Sequence, residues 1–293
     1  MQPRFPLYIP SKGRWESRIT SRTLEAMHVP YLMVVEEQEY AAYAAVIDPA
    51  RLLILDPAYQ QNYFTCDTLD ESFSKGSGPA RNFIWDHAAQ QQAAYHWIMD
   101  DNIRWFFRLH QNKIHRVMDG TVFRIMEDFV LRYSNVVMAG PNYEKFVKRK
   151  QHRPPFLANT RIYSCNLIRT NAPYRWRCRY NEDTDLSLRM LKDGWCTIQF
   201  NAFLQGKVGT QTMKGGNTDT LYKEGTLRKS QQLVALHPDV ARLVWKFHRW
   251  HHQVDYRPFR RNRLRLCLDS PFVEGVNEYG MQLLHTPALT DCG

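Results

Sequence analysis

Two adjacent carboxylates and an amide, Asp100, Asp101 and Asn102, end a short apolar run at residues 95–99. An apolar run of this length after a helical pattern is typical of a buried strand in an α/β sheet. Ligands of open α/β sheets bind outside the carboxyl ends of the strands, where these side chains would lie. Oxygen donors there suit a divalent cation that also holds the phosphates of a nucleotide. The alternative, that these residues simply form a turn, stays open at this point.

Three more polar clusters follow predicted strands or open predicted helices, at residues 11–14, 76–82 and 182–185. In a parallel sheet such clusters converge on one edge and form a single pocket. Glycine lets the backbone come close to a phosphate, a helix N-terminus favours an anion, and arginine holds oxygens bidentately. We therefore predict nucleotide binding by Pro10, Ser11, Lys12, Gly13, Arg14, Gly78, Arg81, Asn82, Asp100, Lys214 and Gly215.

The elements that position these clusters follow from the periodicity of the apolar residues. Strands are predicted at residues 5–9, 31–35, 52–55, 95–99, 135–139, 161–168 and 196–200, with helices between most of them. This alternation predicts an α/β fold with a mostly parallel central sheet flanked by helices. Because no repeat or linker interrupts the chain, we expect one domain, with a core at residues 5–217 and a basic, helical C-terminal region at 218–293.

The composition narrows the class of protein. Of the 293 residues, 44% are apolar, which is enough for a folded core. No stretch approaches the roughly 18 apolar residues of a membrane span, and the first residues lack the apolar block of a secretory signal. Six cysteines without a Cys-x-x-Cys pair favour reduced thiols over a disulfide framework or a structural zinc site. We therefore expect an intracellular protein.

Basic residues outnumber acidic residues by 39 to 29, and a net charge of +10 attracts polyanions. Three basic segments are interleaved with aromatic residues, so they could contact phosphates and stack on bases, although a solvated surface is the alternative. The candidate nucleic-acid contacts are Lys148, Arg149, Lys150, Arg175, Arg177, Arg179, Arg260 and Arg261. Three histidines at helical spacing have no Cys or carboxylate partner in register, and we assign His248, His251 and His252 to the same basic surface.

Taken together, the polar clusters resemble those of the GT-A glycosyltransferases, in which an Asp-x-Asp motif binds a metal and a Glu-Asp motif faces the acceptor. More narrowly, the chain is similar to the TET/JBP-associated glycosyltransferases of bacteriophages. The similarity covers residues 5–217 and is carried by the order and spacing of four motifs, at residues 9–14, 80–82, 99–102 and 181–189.

This resemblance implies a GT-A-like fold and a metal-dependent transfer of sugar from a nucleotide diphosphate, such as a UDP-sugar, to 5-hydroxymethylcytosine in DNA. It also implies a Mn²⁺ or Mg²⁺ site at Asp100, Asp101 and Asn102, and, for a phage protein, the cytoplasm of a bacterial host. The metal motif departs from the family pattern, since it is Asp-Asp-Asn. A single protein carboxylate could therefore bind the ion, with water and diphosphate completing its shell.

The chemistry implied by the resemblance needs positive charge at the leaving diphosphate and a base for the attacking hydroxyl. Lys12, Arg14, Arg81 and Lys214 are candidates for the charge. Asp183, or Glu182 beside it, is the candidate catalytic base. The alternative is equally open, because acids in a first turn complement the helix dipole, and Asp183 or Thr184 could cap the helix.

Several alternatives remain at this point. Residues 214–217 are either a lid over the diphosphate or a plain turn. The acceptor could instead be a protein or a glycan, and a non-catalytic nucleic-acid-binding module is a third hypothesis. A hydroxymethyl group projects into the major groove, so flipping of the base is not required. The sugar, the stereochemical course and the oligomeric state are left open.

Overall fold

Strands and helices alternate along much of the chain, as the apolar periodicity predicts. The structure is a computed structural model that describes residues 1–69, 74–147, 154–208 and 226–267. Its strands are β1 (Leu7–Pro10), β2 (Leu32–Val35), β3 (Leu52–Ile54), β4 (Tyr95–Met99), β5 (Ile103–His110), β6 (Lys113–Arg116), β7 (Val136–Tyr143), β8 (Phe156–Ala158), β9 (Cys165–Arg169), β10 (Cys196–Lys207), β11 (Ala241–Lys246) and β12 (Arg249–Val254). Its α-helices are α1 (Ile19–Ala26), α2 (Tyr40–Ala44), α3 (Pro57–Gln61), α4 (Gly78–Gln90), α5 (Thr121–Val130), α6 (Glu182–Lys192) and α7 (Leu227–Leu236).

Ten of the described strands form one sheet, in the order β3-β2-β1-β4-β9-β7-β10-β5-β6, with β8 paired to β10. The strands β1 to β4 pair in parallel, and so do β7 and β10. Strand β9 lies antiparallel between β4 and β7, and the β5–β6 hairpin extends one edge of the sheet. The predicted α/β fold, with a large central sheet flanked by helices, is therefore confirmed.

Apolar side chains are buried on both faces of this sheet. Leu7 and Ile9 of β1 belong to the core cluster that includes residues of α1 and α5, whereas Tyr8 belongs to the opposite cluster, with residues of α4 and α6. Successive side chains of a strand point to opposite faces, so a strand that is covered on both sides is apolar throughout. This explains why the polar clusters of the chain begin only where β1 and β4 end.

The turn after β4 is held in place by two neighbouring segments. The Thr20 hydroxyl, in the first turn of α1, donates to the carbonyl oxygen of Asp100 at 2.5 Å and accepts from the amide of Ile103 at 2.8 Å. The amide of Asp100 donates to the carbonyl oxygen of Ser164 at 2.7 Å. These bonds fix the backbone from which the Asp100 and Asp101 side chains project.

The described part of the C-terminal region, residues 226–267, has one α-helix, α7, followed by an antiparallel hairpin of β11 and β12. The described part of the predicted helical region is therefore helical only in part, and the helical spacing predicted for its histidines is wrong. His248 lies in the hairpin turn, and His251 and His252 lie on β12. The two turn residues, Phe247 and His248, both have positive φ, of 51° and 57°.

The β5–β6 hairpin was also missed from the sequence. Its turn residues, Gln111 and Asn112, have φ values of 47° and 61°. Two-residue hairpins with positive φ at both turn positions are usually recognised by Asn-Gly or Asp-Gly. Neither of these two hairpins has that pair: the turn residues are Gln111-Asn112 in one and Phe247-His248 in the other. Their sequences therefore do not predict a hairpin.

The described helices are short. The longest, α4, has 13 residues, and none is both long enough and apolar enough to cross a membrane. The described cysteines, Cys66, Cys165, Cys178, Cys196 and Cys267, are free thiols, as expected.

Candidate active site

Arg81, in the first turn of α4, links two acidic residues from distant parts of the chain. Its Nη2 atom donates to Oδ1 of Asp100 at 2.8 Å, and its Nη1 atom lies 3.4 Å from Oε1 of Glu182. Glu182 also accepts a hydrogen bond from the Ser77 hydroxyl, at 3.2 Å. The start of α4, the end of β4 and the start of α6 therefore meet at one edge of the sheet, as the sequence predicts.

A second cation reaches Asp100 from the end of β10. Lys207 places its Nζ atom 2.5 Å from Oδ2 of Asp100 and 2.9 Å from the Ser164 hydroxyl. Burial alone would raise the pKa of Asp100, but Lys207 and Arg81 hold it well below its usual range. Burial would likewise lower the pKa of Lys207, but the Asp100 carboxylate raises it. All three side chains are therefore charged at neutral pH.

Asp101 faces a different part of the structure from Asp100. Its carboxylate pairs with Arg14 and accepts a hydrogen bond from the Ser11 hydroxyl at 2.9 Å. The Ser11 hydroxyl is in turn 2.7 Å from the hydroxyl of Tyr43 on α2. Burial raises the pKa of Asp101, while the charge of Arg14 lowers it. Asp101 thus ties the loop after β1 to the end of β4.

The other predicted residues of this loop also contact protein groups. Pro10 ends β1, and Lys12 pairs with Glu36 at 2.7 Å. The amide of Gly13, which has a positive φ of 65°, donates to Glu39 at 2.9 Å. The loop at residues 10–14 therefore lies at the predicted edge, and the side chain of Lys12 is largely exposed.

Gly78 of α4 packs against Tyr63, and Asn82 of α4 is hydrogen-bonded to the segment at residues 174–180. A Cβ atom on Gly78 would come within 1.9 Å of the Tyr63 hydroxyl, which donates to the carbonyl oxygen of Cys178. Asn82 donates to the carbonyl oxygen of Trp176 at 2.9 Å and accepts from its amide at 2.8 Å. Packing accounts for both residues, and their roles in nucleotide binding stay predictions.

The three arginines predicted as nucleic-acid contacts at residues 175, 177 and 179 are not grouped on one surface. Each pairs with a different acid: Arg175 with Asp86, Arg177 with Asp185, and Arg179 with Asp67. The Arg179 side chain is 1% exposed, so it cannot lie on a DNA-binding surface in this conformation. The segment turns irregularly instead of forming a strand, since Cys178 has a positive φ of 76°.

The acids at the start of α6 differ in their surroundings. Asn181 is the N-cap residue, so neither Asp183 nor Thr184 occupies that position, and the proposed capping role is wrong. Burial raises the pKa of Glu182; the Arg81 charge opposes that shift and the Asp183 charge adds to it. Oδ1 of Asp183 accepts a hydrogen bond from the amide of Thr184 at 2.7 Å. Its Oδ2 atom receives no hydrogen bond from the described residues.

The surroundings of Asp183 include residues that the sequence did not identify. Asp183 is near enough for its charge to raise the pKa of Arg161 against the effect of burial. From the C-terminal region, His252 and Tyr256 also lie within the range of this charge. Within the described part of the chain, the buried Nδ1 atom of His252 and hydroxyl of Tyr256 have no hydrogen-bond partner. Residues of the C-terminal region therefore contribute to the electrostatic surroundings of Asp183.

The end of β10 supplies the clearest residue that sequence reasoning missed. The predicted strand stopped at Phe200, whereas β10 continues to Lys207. At that end, the Tyr143 hydroxyl of β7 is 2.5 Å from the Ser164 hydroxyl, which contacts Lys207. The sequence does contain a signal for this residue, a lysine at the end of a strand that lies beside the acidic turn. That signal could be used only if the end of β10 had been predicted at Lys207.

The donor set allows a test of the predicted metal site. Among the described residues, no group of three or more His, Cys, Asp or Glu side chains is arranged to hold a metal ion. Asp100 fits best, because its side chain is 21% exposed and lies at the edge with Arg81. The buried Oδ1 atom of Asn102 accepts no hydrogen bond from the described chain, so it is also available. Asp101 fits less well: protein groups hold the oxygens of both acids, but the Asp101 side chain is only 8% exposed.

Other predicted residues fall outside this arrangement. Arg260 and Arg261 lie in an exposed 3-10 turn, consistent with a surface role. Lys148, Arg149, Lys150, Lys214 and Gly215 lie outside the described residues.

Comparison with known proteins identifies a family. The model of the family described as TET-Associated Glycosyltransferase matches residues 5–216. No curated protein matches the chain. Among solved structures, the chain is similar to a mannose-1-phosphate geranyltransferase from Thermus thermophilus, with 10% identity and a TM-score of 0.31. That similarity covers 69% of this chain and 57% of the other chain.

Proposed function

The chain belongs to the TET-associated glycosyltransferase family and is a glycosyltransferase, and on this premise we propose that it moves a sugar from a nucleotide diphosphate, such as a UDP-sugar, to 5-hydroxymethylcytosine in DNA. The observation that carries the proposal is the position of Arg81 between Asp100 and Glu182. Together with the end of β10, which supplies Lys207, four separate segments of the chain thereby bring two cations and several acids to one edge of the sheet.

The donor half of the proposal rests on charge. A leaving nucleotide diphosphate develops negative charge, which preorganised cations stabilise in the transition state. Arg81 and Lys207 are preorganised in this sense, because both are held by Asp100. We assign the diphosphate to this pair, and the rest of the nucleotide to the loop at residues 10–14.

A divalent cation fits this half of the site through Asp100, with Asn102 as a second oxygen donor. Magnesium or manganese bound there would neutralise charge on the leaving diphosphate. Asp100 and Asn102 would hold the ion, and Lys207, which pairs with the same Asp100 carboxylate, would add its positive charge beside it.

The acceptor half rests on Asp183. Glu182 is bound by Arg81 and Ser77, whereas Asp183 keeps one carboxylate oxygen without a donor from the described residues. As base, Asp183 takes the proton of the hydroxymethyl group while the oxygen bonds to the anomeric carbon of the sugar. The bond from that carbon to the diphosphate breaks, and the nucleotide leaves with the electron pair.

A DNA acceptor is supported by the net charge of +10 and by the exposed arginines Arg260 and Arg261. The test is incubation of the protein with a panel of nucleotide sugars and hydroxymethylated duplex DNA, followed by mass measurement of the nucleosides. The expected result is one hydroxymethylcytidine product heavier by one sugar residue, and no product on unmodified DNA. Transfer to a protein or glycan, with none to DNA from any donor, would overturn the acceptor assignment.

A further inference from the structure

The hairpin of β11 and β12 projects an aromatic tip whose exposure nothing in the fold explains. Phe247 is 84% exposed, the highest value among the large apolar side chains of the described chain. It occupies a turn position with a φ of 51°, a conformation that is costly for a bulky side chain and usually belongs to Gly or Asn. A strained, exposed aromatic side chain is a reason to look for a function.

Two tryptophans lie directly behind this tip. Trp245 and Trp250 are cross-strand partners whose rings contact edge to face, with centroids 5.3 Å apart. They are 59% and 39% exposed. The tip therefore presents three large aromatic rings to solvent on a ribbon only two strands wide.

The charge of the hairpin identifies the class of partner. Residues 241–254 include Arg242, Lys246 and Arg249 together with three histidines, and they contain no acid. Lys246 and Arg249 face each other across the strands next to the turn. Cations beside exposed aromatic rings match a polyanion with stacked bases better than a neutral protein surface or an acidic peptide.

The register of the hairpin places one more pair of side chains on the tryptophan face. Side chains two residues apart along a strand point to the same face. The cross-strand pair Leu243 and His252 therefore lies on the same face of the hairpin as Trp245 and Trp250, two residues further from the turn.

Hydrogen bonds through α7 join the hairpin to the helix that carries the proposed base. Thr226, the N-cap residue of α7, donates to the carbonyl oxygen of Trp250 at 2.6 Å, and Asn181, the N-cap residue of α6, donates to the carbonyl oxygen of Lys229 on α7 at 2.6 Å.

We propose that the β11–β12 hairpin is a DNA-inserting wedge, in which Phe247 enters the base stack beside the acceptor nucleotide while Lys246 and Arg249 contact the flanking phosphates. The proposal rests on the DNA acceptor proposed above. A two-stranded ribbon fits the major groove, where the hydroxymethyl group lies. Apolar side chains that enter a base step unstack it, which lowers the cost of bringing one nucleotide into a pocket.

The test uses a duplex with one 5-hydroxymethylcytosine next to 2-aminopurine, whose fluorescence rises when its neighbours unstack. The wild-type protein, without any sugar donor, is expected to raise this fluorescence severalfold. Phe247→Ala is expected to abolish the rise and to weaken duplex binding about 5- to 100-fold, the range expected for loss of one stacked base. Phe247→Trp is expected to keep both properties, and comparison of its thermal unfolding with the wild type controls for folding.

Phe64→Ala is the matched control. Phe64 is also strongly exposed, at 64%, but its neighbours at residues 62–67 include no Lys or Arg. The control is expected to behave as the wild type. Equal fluorescence and affinity in Phe247→Ala and the wild type would overturn the wedge, as would tighter binding of an RNA duplex of the same sequence.

The salt dependence of binding tests the two cations separately. Lys246→Ala combined with Arg249→Ala is expected to reduce the slope of log affinity against log salt by about two, one for each lost phosphate contact. An unchanged slope would overturn their assignment.

Because these measurements need no turnover, a wild-type protein that binds and unstacks DNA but transfers no sugar would refute the proposed function and support the wedge. The reverse pattern, transfer by both wild type and Phe247→Ala with no change in fluorescence, would refute the wedge alone.

Discussion

At the scale of single residues, Asp100 and Asp101 are neighbours in sequence with opposite surroundings. Asp100 is partly exposed and held by Arg81 and Lys207 at the edge of the sheet. Asp101 is buried against Arg14 and Ser11. The sequence alone does not show which of the two carboxylates points towards a ligand, because their directions depend on the hydrogen bonds that fix the turn after β4. Because Asp100 is the more exposed of the two, we propose that it is the one that faces the ligand.

This difference predicts separate effects of two substitutions. Asp100→Asn is expected to abolish manganese-dependent binding of UDP while the protein stays folded. Asp101→Asn breaks a buried ion pair, which costs about 3–5 kcal/mol of unfolding free energy. Its folded fraction is expected to keep the manganese dependence of UDP binding, with a lower affinity because the loop at residues 10–14 loses its contact with Asp101. Isothermal calorimetry with and without manganese, together with urea unfolding, measures both effects. Metal-dependent binding that survives Asp100→Asn and disappears in Asp101→Asn would contradict the assignment.

The assignment of the base makes a second prediction at this scale. Asp183→Asn is expected to lower kcat by about 10²- to 10⁴-fold, the usual contribution of a general base, with donor binding retained. Asp128→Asn is the control, since Asp128 pairs with Arg4 and Arg124 on the surface. The measurement is the rate of sugar transfer to hydroxymethylated DNA. A kcat for Asp183→Asn within twofold of the control would rule out Asp183 as the base.

At the scale of elements, α6 is attached to its neighbours by one fully buried acid. Asp185 accepts from Arg177 at 3.0 Å, from Arg189 at 2.8 Å and from His237 at 2.9 Å. Burial would raise the pKa of Asp185, but the hydrogen bond from His237 and the contacts with both arginines hold it well below its usual range. The helix that carries Glu182 and Asp183 is thereby fixed to the segment at residues 174–180 and to the end of α7.

Removal of this charge is expected to destabilise the whole fold. Asp185→Asn leaves two arginines without their buried partner, and the expected loss is about 3–5 kcal/mol in unfolding free energy at pH 7. Asp239→Asn is the control, because Asp239 also pairs with a residue of α6, Lys192, but its side chain is 57% exposed. The expected loss of unfolding free energy in this control is below about 1 kcal/mol. Urea unfolding measures both.

The pH dependence of that loss gives an independent check. The folded-state pKa of Asp185 lies below its unfolded value of about 3.9, so its stabilisation is present above about pH 4 and is lost as the pH falls towards the folded-state pKa. The difference in unfolding free energy between wild type and Asp185→Asn is therefore expected to shrink below pH 4. A constant difference between pH 7 and pH 3 would show that the buried charge is not its cause.

Elements with regular apolar patterns could be predicted from the sequence, and those defined by unusual turns could not. The strand β4 and the helices α4 and α6 follow from apolar spacing, and the polar clusters at their ends do meet. The two hairpins were missed because Gln111-Asn112 and Phe247-His248 are poor turn signals. The role of Lys207 could not be predicted, because it depends on where β10 ends. The pairing of Arg179 with Asp67 could not be predicted either, because the spacing of residues in a sequence does not reveal tertiary contacts.

At the scale of the whole molecule, the fold separates two kinds of surface. The edge with Arg81, Asp100 and Lys207 is built from the parallel part of the sheet and the end of β10, and it suits an anion such as a diphosphate. The C-terminal hairpin is basic and aromatic, and it suits a polyanion with stacked bases. We propose that the donor binds the first surface and the DNA acceptor the second, so that the protein holds both substrates for transfer.

The most direct test of this account is a crystal structure of the protein with UDP and manganese. The account predicts the diphosphate within hydrogen-bond distance of Arg81 or Lys207, with the ion on Asp100. A structure in which UDP binds elsewhere, with Asp100, Arg81 and Glu182 all remote from its phosphates, would contradict it.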